Sequence, residues 1–370
     1  MTRAFTANRR QLTSERLVAQ RLAPVAVSAT PAEVVRHSLA MQAQDFPGAK
    51  WSVGLRSPGS TDASIEQSIA DRDFVRSWPM RGTLHFVAGE DLGWMLALTG
   101  ERMIRSAAGR HRQLELDDTD FALATDLATA ALSGGVVMRR DTLIATIEAG
   151  GLSLSGQRAA HVLLYLAARG LTVFGPVDGK QQTFTLLDEW VPSPRVLDHD
   201  ESLGEFALRY FTSHGPATIR DFAWWSSLTL TDARRGLAIA LESGTLEQRS
   251  VADVAYIGPL ATPSSASGVL ALPGFDEYLL GYSDRSAPLA AEHFDRIVPG
   301  GNGMFLSTIV VDGEVVGTWR RTIAAKTVTI EPLPFDGSRL TAAAVRGFRS
   351  AASNYARYLG RELRWAGEGE

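Results

Sequence analysis

Phe74-Val75-Arg76-Ser77-Trp78-Pro79-Met80-Arg81-Gly82-Thr83-Leu84-His85-Phe86-Val87 is the stretch on which the fold turns. Two β-prone runs, Phe74–Trp78 and Thr83–Val87, flank Pro79-Met80-Arg81-Gly82, whose proline and glycine suit a chain reversal. Helices precede this hairpin. Thr30-Pro31-Ala32-Glu33 combines a threonine N-cap, a proline at the first helical position and a glutamate that closes a capping box. Val34, Val35, Leu39 and Met41 supply that helix's buried side, so it is expected to run on toward residue 41. An earlier helix, capped by Thr13, carries Leu17, Val18 and Leu22, and a weaker one lies around Ile65 and Ile69. Short helices followed by paired strands make the pattern of a winged helix, a relative of the helix-turn-helix.

The theme repeats. A helix near 119–132 is followed by one led by Arg140-Asp141-Thr142. A third, capped by Ser155, runs through Val162 and Leu166 to Gly170, and strands Leu171–Phe174 and Thr183–Leu187 follow. Then Leu203–Phe211 reads as helix, Thr218 opens a helix through Phe222 and Trp225, and Thr231 caps another that ends at Gly244. Strands at 245–249 and 254–257 complete this third unit. From about residue 256 alternation replaces the helical period. Val269–Leu272, Tyr278–Gly281, Phe305–Val311, Glu314–Arg321 and Thr327–Glu331 suit strands, with Asp312-Gly313 as a tight hairpin turn and a helix from 338 to 359. The segment 262–268, rich in serine, reads as a flexible junction. The expected architecture is α+β: winged-helix units at 1–115, 116–195 and 196–258, then a small β-barrel domain with a C-terminal helix at 259–370.

Composition narrows the function. The 370 residues include no cysteine, which excludes disulfides, thiolate nucleophiles and cysteine-ligated metals. No apolar run approaches the roughly 18 residues of a membrane span, and the basic N-terminus lacks the apolar stretch of a secretory signal. A cytoplasmic protein with no membrane partner is the expectation. The net charge of −4 does not advertise nucleic-acid binding. Only Lys50, Lys180 and Lys326 are lysines, and the other strong bases are arginines, which suit phosphate but also follow from a GC-rich genome. Arg102, Arg105, Arg110 and Arg112 cluster locally, and Arg320–Arg321 form a pair. Each cluster also fits a solvated face.

No P-loop or dinucleotide-binding glycine run is present, and the seven histidines show no metal-ligand spacing. Asp117-Asp118 beside Thr119 suits helix capping, and Phe275-Asp276-Glu277-Tyr278 and Ser283-Asp284-Arg285 read as polar turns. No metal or other cofactor is expected.

Several stretches together resemble a known family: Met41-Gln42-Ala43-Gln44-Asp45, the Ser77–His85 run, Leu272–Tyr278, and Gly301-Asn302-Gly303 leading into Val315–Arg321. They are similar to the bacterial AlkZ/YcaQ-like winged-helix DNA glycosylases, in the same order and over nearly the whole chain. The resemblance implies three tandem winged helices and a β-barrel arranged as a C-shaped clamp on double-stranded DNA, with excision of N7-alkylated purines and unhooking of interstrand crosslinks. It implies a monomer, with no protein partner. The family signature is Gln-x-Gln in one branch and Gln-x-Asp in the other. Gln42-Ala43-Gln44 matches the first, and Asp45 lies one position too late for the second.

An amide does not titrate near neutrality, so Gln42 and Gln44 suit a base that is already cationic and leaves without a proton. Their carbonyls are expected to hold a water, Gln44 mainly, with Gln42 in support. Pro47 should end the preceding helix near the motif, so that both amides face one side. From spacing alone, the two glutamines better suit a helix end that they cap and that faces solvent; the resemblance favours the catalytic reading. With three lysines, none near the motif, Schiff-base lyase chemistry is not expected. Arg81, His85, Arg320 and Arg321 are candidate phosphate contacts, and the Asp312-Gly313 hairpin is a candidate groove probe. His85 also reads as a locally satisfied strand residue, and the hairpin as an ordinary sheet turn. A non-enzymatic DNA-binding regulator or damage sensor, and an inactive interaction scaffold, are the competing functional readings.

Overall fold

Capping chemistry sets most of the helix starts. The computed structural model describes residues 2–23, 29–260, 266–335 and 340–367, without the side chains of 2–8. In α1 (Thr2–Ala19) Thr13 lies inside the helix, its hydroxyl donating to the Arg10 carbonyl at 3.1 Å. A threonine can return its hydroxyl to its own helix, so it did not mark the start expected there. Thr30 does cap α2 (Pro31–Ser38): Glu33 N–H donates to its hydroxyl at 3.3 Å while the Glu33 carboxylate accepts from Thr30 N–H at 2.8 Å. This helix stops three residues short of its expected end, because Leu39 has φ 64°. Residues Ala40–Gln42 are strand β1, so Met41 is buried from a strand.

Next come α3 (Phe46–Arg56), absent from the sequence reading, α4 (Asp62–Ala70), β2 (Val75–Met80), β3 (Thr83–Val87) and α5 (Gly89–Gln113). The hairpin turns at Arg81-Gly82, both with positive φ, while Pro79 stays within β2. The second unit holds α6 (Asp118–Leu132), β4 (Met138–Arg139), α7 (Arg140–Ala149), α8 (Arg158–Ala168), β5 (Thr172–Phe174), β6 (Thr183–Leu186) and α9 (Leu187–Trp190). Asp117 caps α6 as expected, accepting from Thr119 and Asp120 N–H at 2.9 and 3.0 Å. The N-cap of α8 is Gln157, not Ser155. The third unit is α10 (His199–His214), α11 (Ile219–Ser226), α12 (Leu230–Leu241), β7 (Leu246–Val251) and β8 (Val254–Pro259). Thr229, two residues before the expected Thr231, caps α12.

The remainder comprises β9 (Val269–Leu272), α13 (Glu277–Leu280), α14 (Phe294–Ile297), β10 (Thr308–Val311), β11 (Glu314–Ile323), β12 (Thr327–Pro334), α15 (Ala342–Tyr358) and β13 (Glu362–Trp365). Tyr278–Gly281, expected as strand, is the short helix α13, started by Asp276 accepting from Tyr278 N–H at 2.9 Å. The junction expected at 262–268 lies mostly outside the described residues.

Strand order explains how the units fit. β1-β3-β2-β5-β6-β4 form one sheet across the first two units, joined where Arg76 meets Phe174. β7 and β8 pair alone. β13-β12-β11-β10-β9 form an open five-stranded sheet, antiparallel except for β12–β13, where a small barrel or sheet was expected. Among the described residues its two edge strands, β9 and β13, do not pair with each other, and α15 covers the face through Phe348, Ala352 and Tyr355. Trp51 of α3 enters the same core and donates its indole N–H to the Ala271 carbonyl at 2.9 Å. On its other side the first unit shares a core with α10–α12, where Trp94 packs edge-on against Phe206. The first unit is thus wedged between the third unit and the C-terminal sheet. Among the described residues no helix is long and apolar enough to cross a membrane.

Candidate active site

The glutamine pair sits where these three parts meet. β1 carries Gln42 on the edge of the first sheet, in register with His85 of β3, so the two side chains share a face. Each backbone N–H of the motif, and the Ala43 carbonyl, has a specific partner. Gln42 N–H donates to Glu277 Oε1 at 2.9 Å, and Ala43 N–H to the Leu84 carbonyl at 2.7 Å. The Ala43 carbonyl accepts two bonds from the Arg76 guanidinium, at 3.0 and 2.8 Å. Gln44 N–H donates to Gln42 Oε1 at 3.1 Å, and Leu84 N–H to Gln44 Oε1 at 3.3 Å. Gln42 is buried and Gln44 exposed. The motif is a pinned strand end, not a frayed helix terminus. Each amide oxygen already accepts one N–H, which leaves each with one further lone pair.

Behind the motif lies a buried polar cluster. Glu277 is 2% exposed and accepts from Trp225 Nε1 at 2.9 Å through its second oxygen, with His214 Nε2 at 3.5 Å. Burial would raise its pKa, but His214, with Arg81 and His85, brings it down to about 2. Glu277 therefore stays anionic. The polar turn expected at Phe275–Tyr278 is instead an internal anchor: Asp276 forms a buried pair with Arg56, at 2.8 and 2.9 Å. Sequence spacing carried no sign of either role, because each partner lies more than two hundred residues away.

Arg81 and His85 are brought together, with Arg81 Nη2 3.1 Å from His85 Nε2. His85 is fully buried, and its Nδ1 lies 2.9 Å from the Thr83 carbonyl, so Nδ1 carries the proton and Nε2 accepts from Arg81. Burial, reinforced by Arg81, drops its pKa to about 3. His85 is a neutral, buried strand residue with local hydrogen-bond partners.

Arg320 and Arg321 alternate on β11. Arg320 is exposed, whereas Arg321 reaches Asp45 Oδ2 at 3.4 Å, immediately beside Gln44. The Asp312-Gly313 turn forms as expected, with φ 49° and 84°. It does not project: Tyr278 hydroxyl donates to the Gly313 carbonyl at 2.6 Å, and a Cβ on Gly313 would meet Thr13 Oγ1 at 2.7 Å. The exposed hairpin is the next one, β11–β12, whose tip spans residues 323–326. A cavity of about 550 Å³ lined by Val18, Leu22, His37 and Leu55 touches neither glutamine. Among the described residues no group of His, Asp and Glu is arranged to hold a metal ion.

The strand end thus presents a pinned amide pair beside arginines, with a buried, neutral imidazole on the neighbouring strand. The chain belongs to the AlkZ-like DNA glycosylase family, whose model matches residues 35–358. It is 29% identical over 360 residues to an interstrand DNA cross-link repair glycosylase of Streptomyces sahachiroi, covering 91% of this chain and 93% of that protein. The solved structure of Streptomyces sahachiroi DNA glycosylase AlkZ is similar at a TM-score of 0.78 and 27% identity, covering 96% of this chain and 99% of that one.

Proposed function

We propose that this protein hydrolyses the N-glycosidic bond of N7-alkylated, cationic purines in double-stranded DNA, including those in interstrand crosslinks, as a monofunctional enzyme. The pinned Gln42–Gln44 motif is the observation that carries the reading. A cationic base leaves as a neutral molecule when the C1′–N9 bond breaks, so no acid is required. Gln44, exposed at the end of the strand, uses the free lone pair of its amide oxygen to hold the attacking water; Gln42, buried and bonded to Gln44 N–H, fixes that geometry. The water adds to C1′ and its proton passes to solvent. Asp45, tethered to Arg321, places a carboxylate near the developing sugar cation.

The helix–helix–hairpin order in the segments 1–115, 116–195 and 196–258 supports three winged-helix units, and with the 259–370 sheet they form a C-shaped clamp around the duplex. The DNA path runs past Gln44 and Arg81, with exposed Arg320 and the β11–β12 hairpin at its edge. An open groove of this kind reaches the sugar of a crosslinked base without extruding a bulky lesion into a deep pocket.

Incubation of a duplex containing N7-methylguanine, followed by cleavage of abasic sites, tests this directly. Wild type should release the base, and Gln44→Ala should lose activity by roughly 100-fold or more while binding the duplex nearly as well. Equal release by both proteins would remove Gln44 from the mechanism. Borohydride-trapped protein–DNA adducts would overturn the monofunctional assignment.

A further inference from the structure

Arg81, Trp224 and Arg285 come from the first hairpin, α11 and the segment after α13, and they meet at one point of the surface. Trp224 is 40% exposed, an unusual setting for tryptophan next to the fully buried Trp225. The Arg81 guanidinium carbon lies 4.9 Å from the centre of its ring, and that of Arg285 lies 5.0 Å away. Arg285 also sits 5.0 Å over the Phe305 ring. Asp221, fully buried, locks this arrangement. Its carboxylate accepts from Thr218 N–H at the start of α11 and from Ser283 and Asp284 N–H just before Arg285, at 2.9, 2.9 and 3.2 Å.

Among the described residues neither guanidinium forms an ion pair, although Glu277 acts on Arg81, and Asp221 and Asp284 on Arg285, from a distance. Other enclosed arginines, Arg56 and Arg209 among them, are matched by carboxylates, Asp276 and Asp91. Among the described residues, the hydrogen-bond partner of Arg81 is neutral His85, and its Nε is buried without one. Arg285 donates to the carbonyls of Leu279 and Ser283, at 2.8 and 3.5 Å, and has no ion pair among the described residues. Burial first, and then the charge of Arg81, lower the Arg285 pKa against the opposing pull of Asp221 and Asp284. Aromatic faces hold guanidinium planes in place, and a planar fork with unused N–H groups suits phosphate oxygens.

We propose that Arg81 and Arg285, braced on Trp224, bind one phosphodiester of the DNA backbone beside the glutamine pair. The identity of the ligand rests on the DNA-glycosylase reading, and the position follows from His85, which links Arg81 to the strand of Gln42. Trp224 and Arg285 thereby become binding residues supplied by the third unit and the C-terminal part, so that register on the DNA depends on three parts of the chain at once.

The test uses the full-length protein and an unmodified duplex, so it reads out whether or not any base is released. Arg285→Gln keeps an amide able to bond the Leu279 carbonyl. It should weaken duplex binding about tenfold and reduce the slope of log Kd against log salt by about 1. Arg285→Lys, which retains the charge, should retain most of that slope. Single methylphosphonate substitutions, which neutralise one phosphate at a time, should then locate one linkage that weakens wild type but costs Arg285→Gln nothing further. An unchanged salt slope in Arg285→Gln, or methylphosphonate losses identical in both proteins at every linkage, would overturn the proposal. A drop in thermal stability without a change in slope would assign Arg285 to the fold instead.

Discussion

Glu277 is the residue on which the site's geometry depends most, although it faces no solvent. It receives Gln42 N–H on one oxygen and Trp225 Nε1 on the other, and so ties the motif to α11. Removing one partner from such a cluster leaves buried donors unpaired. Glu277→Ala should cost about 3 kcal/mol or more in urea unfolding. Glu277→Gln, which preserves both acceptor positions only in part, should lose less stability but still slow excision in single turnover. A slow Glu277→Gln enzyme with wild-type duplex affinity would fit a positioning role. Neither glutamine titrates, and His85 and Glu277 change charge only near pH 3 and pH 2. The single-turnover rate should therefore stay flat from about pH 6 to about pH 8. A bell-shaped profile in that window would point to an acid or base that the geometry lacks.

Among the elements, α5 and α11 each depend on a specific close contact. Gly100 of α5 lies against α8, where a Cβ would come within 2.3 Å of the Ala168 carbonyl oxygen. Gly100→Ala should destabilise by about 1–3 kcal/mol through forced separation of the two helices, measured by denaturant midpoint. Helix α11 depends on Asp221, which closes a capping box with Thr218 and also holds Ser283 and Asp284. Thr218→Ala removes only the cap and should cost about 1 kcal/mol. Asp221→Ala should cost more, because it also frees the 283–284 backbone. If both variants lost the same amount, the tether would contribute nothing beyond the cap.

At the scale of the whole molecule, acid should loosen the fold before it affects the chemistry. Burial lowers His37 to about 4 and His85 to about 3, from an ordinary 6.5. A depressed folded pKa means that the unfolded chain takes up protons first. Stability is then complete above about pH 6.5 and falls as pH drops toward these folded values. The melting temperature should be lower at pH 5 than at pH 7.5, with a shallower fall in His37→Gln. No change across that interval would refute the buried, neutral state of both rings.

Local chemistry determined what depends on near neighbours in the chain. The Thr30–Glu33 capping box, the Asp117 cap, the Arg81-Gly82 and Asp312-Gly313 reversals and the helix–hairpin rhythm were all legible in the sequence, because each is settled within a few residues. The Gln-x-Gln motif was legible by resemblance. Its setting was not: Leu39 breaks α2 early so that Gln42 can join β3, a pairing decided by a strand more than forty residues on. Only the tertiary structure revealed that Glu277, assigned to a turn by its polar neighbours, is the buried partner of Gln42. The same holds for the turning inward of His85 and of the Asp312-Gly313 hairpin, and for the meeting of Arg81 with Arg285 across two other parts of the chain. Burial and long-range charge pairing depend on which surfaces pack together, and no local spacing encodes that.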